Sequence, residues 1–417
     1  MHVKCTSRGR ASRSSFFHLP IFLFLTIPIF NTKIGIMNTN FQYIRREIET
    51  SILEHLHHQK VIILYGARQV GKTTLLHNLF RAEKTVLYLS CEQSRIQEQL
   101  IPDSLALQKV IGNYPVIILD EAQYLDNPGL ILKILIDNFP ERSILASGSS
   151  AFDLAHKISE PLTGRHYRFL LHPLSISEIT QQVLPVDIQF HLKQALLFGT
   201  YPEVFSLTSQ TEKINNLSIL ADAYLYKDVL AFNLVKNSRK VRELLIALAL
   251  QIGNEVSYSE LANIISVDRK TVEHYLDLLE KSFVAFRLYG FSRNLRNEIG
   301  KKVKIYFYDL GIRNTLVNNF NELSIRNDGG AMFENFVVSE MMKKDANAPQ
   351  RTNFYFWRTY DQKEIDLVTE KNGMITAYEI KLHSSQKVNQ FSKFQSIYPQ
   401  SQIKLITSEN LLEILHG

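Results

Sequence analysis

The segment VIILYGARQVGKTTLL, from Val61 to Leu76, constrains this chain more than any other. Val61 to Tyr65 reads as a buried strand, then come Gly66 and, five residues on, Gly71-Lys72-Thr73, and then a helical pattern. Glycines at those places let the backbone wrap around phosphate oxygens with its N–H groups pointing inward, and a helix starting near Lys72 adds its positive dipole end. Lys72 is expected to reach the β- and γ-phosphates and Thr73 to ligate Mg²⁺, with Thr74 beside them among the nucleotide contacts. A lone G-x-G-x-x-G would be weak, but G-x-x-x-x-G-K-T between a strand and a helix is specific.

A second signal follows downstream. Val116 to Leu119 form a short apolar strand that ends in Asp120-Glu121. A strand end there delivers carboxylates to the phosphates: Asp120 to hold Mg²⁺ through water, Glu121 to orient or deprotonate the attacking water. Two further strands are expected, TVLYLS (Thr85 to Ser90) and SILASGSS (Ser143 to Ser150). Ser149 is the candidate γ-phosphate sensor, Ser147 a close rival, and a helix-capping role the alternative for either. Strands alternating with helices imply a parallel sheet with ligand at its carboxyl ends.

GARQVGKTTLL, LDEAQ, LASGSS, the LTGR of Leu162 to Arg165, LHPLSISEI and GTYPEV (Gly199 to Val204) together resemble the bacterial and archaeal AAA-type ATPases that carry a conserved C-terminal domain of uncharacterised role. The likeness runs from about Met37 to the end. It implies an ATP-binding protein and allows a homo-oligomer. In such enzymes an arginine near the last strand contacts the γ-phosphate in cis or from a neighbour. Arg165 is the position nominated, with a structural ion pair as its alternative.

The formal net charge is +6, but residues 1–36 contribute five cations (Lys4, Arg8, Arg10, Arg13, Lys33) and no acid. The remainder carries 42 basic against 41 acidic residues, so the overall charge is no argument for nucleic-acid binding. The apolar run Phe16 to Phe30 is shorter than the ~20 residues a spanning helix needs, and Pro20 and Pro28 interrupt it. The expectation is a non-native or unstructured leader, with translation beginning at Met37 and no stable membrane insertion. Two cysteines, Cys5 and Cys91, leave no disulfide framework and fit a reducing, cytoplasmic setting.

From about 176 to 245 the periodicity is helical. Ser257 to Phe291 then reads as a helix-turn-helix: Leu261, Ile264 and Ile265 on one helix, Val272, Tyr275, Leu276 and Leu279 on the inner face of the next. VAFRLYGF and KVKIYFYDL follow as two strands of a wing. Arg269, Lys270 and His274 are placed where a DNA reader would carry them, yet Glu273, Asp277 and Glu280 share that helix, so interdomain packing competes with DNA binding.

The tail places Asn372-Gly373 between the strand-like runs EIDLVTE and MITAYEIKL, a strong hairpin signal. A two-residue turn pairs Lys371 with Met374 and sets Asp366 opposite Glu379, with Lys381 on the same face. Facing like charges destabilise a hairpin, which suggests a bound cation or a nearby ammonium. With Glu334 on the helix AMFENFVVSEMM, the order resembles the restriction-endonuclease-like PD-(D/E)-x-K nucleases. That resemblance implies a Mg²⁺ site at Glu334, Asp366 and Glu379 with Lys381. The alternative is a salt-bridge cluster in a vestigial fold.

The expected architecture is α/β: an AAA-type P-loop NTPase domain with a parallel sheet over residues 37–175, a helical and winged-helix region over 176–320, and a small α/β nuclease-like domain over 321–417. The expected function is a Mg²⁺-dependent ATPase switch controlling the other modules, through a DNA or protein partner. Its rivals are a metal-dependent nuclease effector regulated by ATP and an ATP-binding scaffold without turnover.

Overall fold

The structure, a computed structural model, describes residues 43–81, 83, 85–148, 162–223, 237–292, 303–359, 361–383 and 391–416. The readings of residues 1–36 and of Ser149 lie outside that range.

Five parallel strands form the first sheet: β1 (Val61–Tyr65), β2 (Val86–Ser90), β3 (Val116–Asp120), β4 (Ser143–Gly148) and β5 (His166–Leu170), in the order β2-β3-β4-β1-β5. Period-two alternation buries both faces. Val61 and Ile63 join one core with Ile117, Leu119 and Ile144, while Ile62 and Leu64 join another with Ile118 and Leu145. Because the strands are parallel, the phosphate loop after β1, Asp120 at the end of β3 and the last residues of β4 lie along one edge. β4 sits between β1 and β3, so its Ser147 is inserted between the two sequence motifs.

The second core of this sheet continues into the middle of the chain, where Val272, Leu276 and Leu279 pack in the same cluster as Ile62 and Leu64. The helices Tyr258–Ile265 and Arg269–Lys281 are joined by a turn with Ser266 in the left-handed region, and each is capped by a side chain, Ser257 and Asp268. After them β7 (Ala285–Gly290) runs antiparallel to β8 (Val303–Phe307), which pairs in turn with the short β6 (Glu255–Val256).

These strands do not stand alone. Together with β9 (Asn353–Arg358), β10 (Glu364–Lys371), β11 (Met374–Ile380) and β12 (Gln402–Ile406) they make one seven-stranded mixed sheet in the order β12-β11-β10-β9-β7-β8-β6. The seam is a parallel pairing of β7 with β9, Tyr289 with Tyr355 and Gly290 with Phe356. The division expected at residues 320/321 therefore separates two halves of a single sheet. The hairpin register is the one the Asn-Gly turn dictates, from Lys371 with Met374 to Leu367 with Tyr378. Asn372 and Gly373 both take positive φ, 52° and 77°. Trp357 is buried edge-to-face on Phe394 at 5.1 Å.

The helix Gly329–Asp345 ties the sheets together. Its fully buried Asn335 imitates a strand, accepting from the Phe307 N–H and donating to the Phe307 carbonyl, each at 2.8 Å. Just beyond the helix, Asn347 does the same to Leu170 on the edge of β5, again with both bonds at 2.8 Å. Edge N–H and C=O groups are thus satisfied by amides rather than left open. Among the described residues, no helix is long and apolar enough to cross a membrane.

Candidate functional site

Two glycines shape the loop after β1. A Cβ on Gly66 would lie 2.1 Å from the Leu171 carbonyl oxygen, so only glycine fits under that strand connection. Gly71 caps the Lys72–Leu79 helix with φ 95°, a left-handed value that side chains avoid. Lys72 is buried, its ammonium donating to the carbonyls of Gly66 at 3.0 Å and Ala67 at 2.9 Å. Thr73 and Thr74, next along the helix, are exposed.

Asp120 is buried at the end of β3 and its carboxylate is held from three sides. Thr73 Oγ1 donates to Oδ2 at 2.7 Å, the Tyr88 hydroxyl donates to the same oxygen, and Ser147 Oγ donates to Oδ1. Burial, then the Asp120 charge, raises the Tyr88 pKa, so its hydroxyl stays a donor. Ser147 also accepts from the Glu121 N–H at 3.0 Å. Glu121 sits at φ 54°, ψ 47°, a left-handed conformation costing a bulky residue ~1–3 kcal/mol, and its Oε2 accepts from Gln123. Of the two hydroxyls weighed at the end of β4, Ser147 is the one within the described residues, and it grips both members of the acidic pair.

Sequence reasoning missed Arg46. This buried guanidinium donates to the loop's Val70 carbonyl at 2.9 Å, to the His172 carbonyl at 2.6 Å and to Glu178 Oε2 at 3.0 Å. It ties one loop carbonyl, that of Val70, to the segment that carries His172 and Glu178. Its partners lie 24 to 132 residues away, so no spacing in the sequence could have revealed them. Pro202 of the GTYPEV segment closes the same region, 3.9 Å from where a Gly71 Cβ would be.

His172 is buried beside Arg46, stacked on Tyr308 at 5.6 Å. Burial, then the charges of Lys343, Arg46 and Arg351, drives its pKa down from 6.5 to about 3. The folded state refuses a proton that the unfolded state accepts. The contribution is therefore complete above pH ~6.5 and is lost on acidification towards pH 3, with a slope of up to ~1.4 kcal/mol per pH unit. Urea unfolding between pH 7 and 4 should give a shallower acid limb for His172→Phe than for the parent chain. Equal limbs would contradict a neutral buried imidazole.

Arg165 is not where a cis contact requires it. Its carbonyl accepts from the N–H of Val61, the first residue of β1, so it lies at the amino edge of the sheet. The phosphate loop begins one strand length away, roughly 16 Å at ~3.3 Å per residue. Its guanidinium pairs instead with Asp137, both side chains being substantially exposed. The cis γ-phosphate role is thereby corrected to a surface ion pair.

The C-terminal acids occupy the seven-stranded sheet. Lys381 Nζ lies 2.6 Å from Glu379 Oε1 and 3.4 Å from Asp366 Oδ2, and the Ile380 N–H donates to Asp366 at 2.8 Å. Glu379 is buried, and its Oε2 has no hydrogen-bond partner. Burial, then the Asp366 charge, raises its pKa. Glu334 faces a different pair: its Oε1 accepts from Lys304 at 2.9 Å and from Tyr306 at 2.5 Å, both on β8. Lys304 also contacts Glu364 at 2.5 Å. Among the described residues, no group of three or more His, Cys, Asp or Glu side chains is placed to hold a metal ion. The expected three-acid site is corrected on that point, because a lysine that sequence reasoning did not consider engages Glu334. On the helix-turn-helix, Arg269 pairs with Glu273 at 3.0 Å along the surface of its own helix.

Comparison with known proteins covers the regions that hold both sites. Residues 58–180 match the family model described as an AAA domain. The matched stretch spans the glycine loop, Thr73 and the Asp120-Glu121 pair. Residues 189–323 and 329–416 match two domains of unknown function, DUF8612 and DUF4143. The boundary between them falls inside the shared seven-stranded sheet. The chain is similar to uncharacterized proteins of Mycobacterium tuberculosis (26% identical over 349 residues, 83% of this chain and 75% of that one) and Haemophilus influenzae (23% over 377 residues, 83% and 88%). Among solved structures it is similar to a Walker-type ATPase of Pyrococcus abyssi, at 17% identity and TM-score 0.45 over 66% of this chain and 96% of that one.

Proposed function

We propose that this protein is a Mg²⁺-dependent ATPase that works as a switch. The observation that carries the reading is the 2.7 Å contact of Thr73 Oγ1 with Asp120 Oδ2, beside the glycine loop. It brings together two groups read separately from the sequence, and a hydroxyl with a carboxylate is an all-oxygen donor set suited to Mg²⁺. When bound, Mg²⁺ neutralises charge on the β- and γ-phosphates. Lys72 moves from the Gly66 and Ala67 carbonyls to the phosphates, and Glu121, fixed through its N–H by Ser147, orients the attacking water. Arg165 keeps a role at the γ-phosphate only across a contact between copies of the chain. The test is ATP turnover by the intact chain with Mg²⁺ and with a chelator, alone and with DNA or RNA. Turnover that needs Mg²⁺ supports the reading, and ATP binding without turnover under every condition replaces it with a scaffold.

A second reading concerns the C-terminal hairpin, where the buried, unpartnered Glu379 Oε2 beside Asp366 favours a divalent cation. Mg²⁺ is commonly held by one or two carboxylates plus water, so Asp366 and Glu379 would suffice, with Lys381 positioning a water. In this reading the helix-turn-helix and its β7–β8 wing form a winged helix, and the tail is a nuclease-like module under ATP control. Mg²⁺-dependent DNA or RNA cleavage that is lost in Asp366→Ala and kept in Lys72→Ala would establish it. Absence of cleavage in the parent chain would remove it.

A further inference from the structure

We propose that Tyr88 is a positioning residue for the Mg²⁺ of the ATPase site, acting through Asp120; this rests on the ATPase reading above. The two strands that carry them are neighbours. In the parallel register Ser90 pairs with Asp120 and Tyr88 with Ile118, so Tyr88 and Asp120 point to the same face of the sheet, two register positions apart. That offset lets a tyrosine, and no shorter hydroxyl, reach up to the carboxylate. The hydroxyl donates to Oδ2, and the ring stacks on His77 at 4.2 Å with 28° between planes. His77 lies four residues beyond Thr73 on the phosphate-loop helix, one turn away on the same side. Tyr88 therefore clamps the end of β3 to the helix that carries Thr73.

The division of labour follows from counting donors. Oδ1 of Asp120 accepts from Ser147, and Oδ2 accepts from both Thr73 and Tyr88. A hydroxyl can offer a lone pair to a metal ion while its O–H still donates, so Thr73 and Tyr88 would hold the same carboxylate oxygen together. Tyr88 is the donor to Oδ2 that takes no part in binding the metal, and with Ser147 on Oδ1 it keeps the carboxylate from rotating. The pair is also accessible. Tyr88 and His77 line a cavity of about 480 Å³ with Leu76, Phe80, Arg81 and Val86, so the hydroxyl can be removed without opening a hole in a closed core.

Tyr88→Phe keeps the ring and its stacking and deletes only the hydroxyl. In the full-length chain the Mg²⁺ concentration giving half-maximal ATP turnover should rise roughly tenfold, as expected for one hydrogen bond to a charged group, while kcat at saturating Mg²⁺ stays within about threefold. His77→Phe, which preserves an aromatic stack, should leave the Mg²⁺ dependence near that of the parent, and His77→Ala should shift it in the direction of Tyr88→Phe. The same titration read as Mg²⁺-dependent binding of a fluorescent ATP analogue serves if turnover proves too slow. A parent chain that binds ATP with a Mg²⁺ dependence identical to that of Tyr88→Phe overturns the inference alone. So does a Tyr88→Phe variant that loses kcat at unchanged Mg²⁺ dependence. A parent chain that binds no ATP at all overturns the ATPase reading, and the inference falls with it.

Discussion

Replacing Lys72 by Ala should lower ATP turnover by about 10²- to 10³-fold, the usual consequence of removing one preorganised charge from a site where charge develops in the transition state. The ammonium is held by two loop carbonyls, at 3.0 and 2.9 Å, on a side chain that is 4% exposed. Its loss therefore has a structural side as well. Two carbonyls lose a donor, at about 1–3 kcal/mol for each one left unsatisfied. The two effects separate in one experiment. Lys72→Met keeps the apolar stem and Lys72→Arg keeps the charge with the wrong shape, so thermal melting of all three variants measures the loop while steady-state turnover measures the phosphate contact. Lys72→Arg should melt close to the parent and remain severely impaired in turnover, because a planar guanidinium does not replace a compact ammonium in so tight a loop. Full turnover in Lys72→Ala would remove this loop from catalysis altogether.

The parts legible in the sequence are those whose information is local. The phosphate loop was readable because a strand, two glycines and a lysine occur within a dozen residues. The hairpin register was readable because Asn372-Gly373 admits one turn and a turn fixes every pair after it. Arg165 shows where locality fails. Its nearness to the last strand of the first sheet was correct, but a residue that precedes a parallel strand lies at the opposite edge from residues that follow one, and only the strand boundaries tell them apart. Arg46, Tyr88 and Lys304 were not legible. Each acts on a group that the sequence places 24 to 132 residues away or on a neighbouring strand whose order the sequence does not state.

The same reasoning explains why the sheet shared across residues 320/321 was not legible in the sequence. Period-two strands and 3.6-residue helices announce themselves, but β7 pairs with β9 over a short stretch, Tyr289 with Tyr355 and Gly290 with Phe356, with the Phe291 N–H donating to the Phe356 carbonyl beyond them. So short a seam leaves no trace in a hydrophobic pattern. The helix Gly329–Asp345 carries the functional consequence. Glu334 accepts from Lys304, which also contacts Glu364 of the hairpin, Glu340 accepts from the Ile176 N–H at 2.7 Å, and Lys343 donates to the Leu174 carbonyl and to Thr200 of the GTYPEV segment, whose Pro202 lies against the phosphate loop. One rigid element thus touches the surroundings of both candidate sites.

Lys304→Met should be the most destabilising single change at the acidic cluster. Lys304 is 1% exposed and bonds Glu334 at 2.9 Å and Glu364 at 2.5 Å. Burial opposes its charge, but Glu334 and then Glu364 outweigh that and raise its pKa, so it is a cation at every accessible pH. Methionine fills similar space and leaves two carboxylates without their shared counter-ion, which for a buried pair costs about 3–5 kcal/mol. The loss should depend on pH, and its sign is fixed by Glu334. Burial raises that carboxyl from 4.5 to about 7, with Lys304 lowering it and Asp366 raising it. A raised folded-state value means stability that is complete below the unfolded value near 4.5 and lost as pH rises through the folded one. Without Lys304 the folded value climbs further, so the deficit in urea-unfolding free energy should be large at pH 8.5 and shrink towards pH 5. The double variant Lys304→Met, Glu334→Gln should recover much of the difference at pH 8.5, because it removes the stranded charge. A Lys304→Met protein as stable as its parent at pH 8.5 would mean that water, rather than this lysine, solvates the acids on β10 and the Gly329–Asp345 helix.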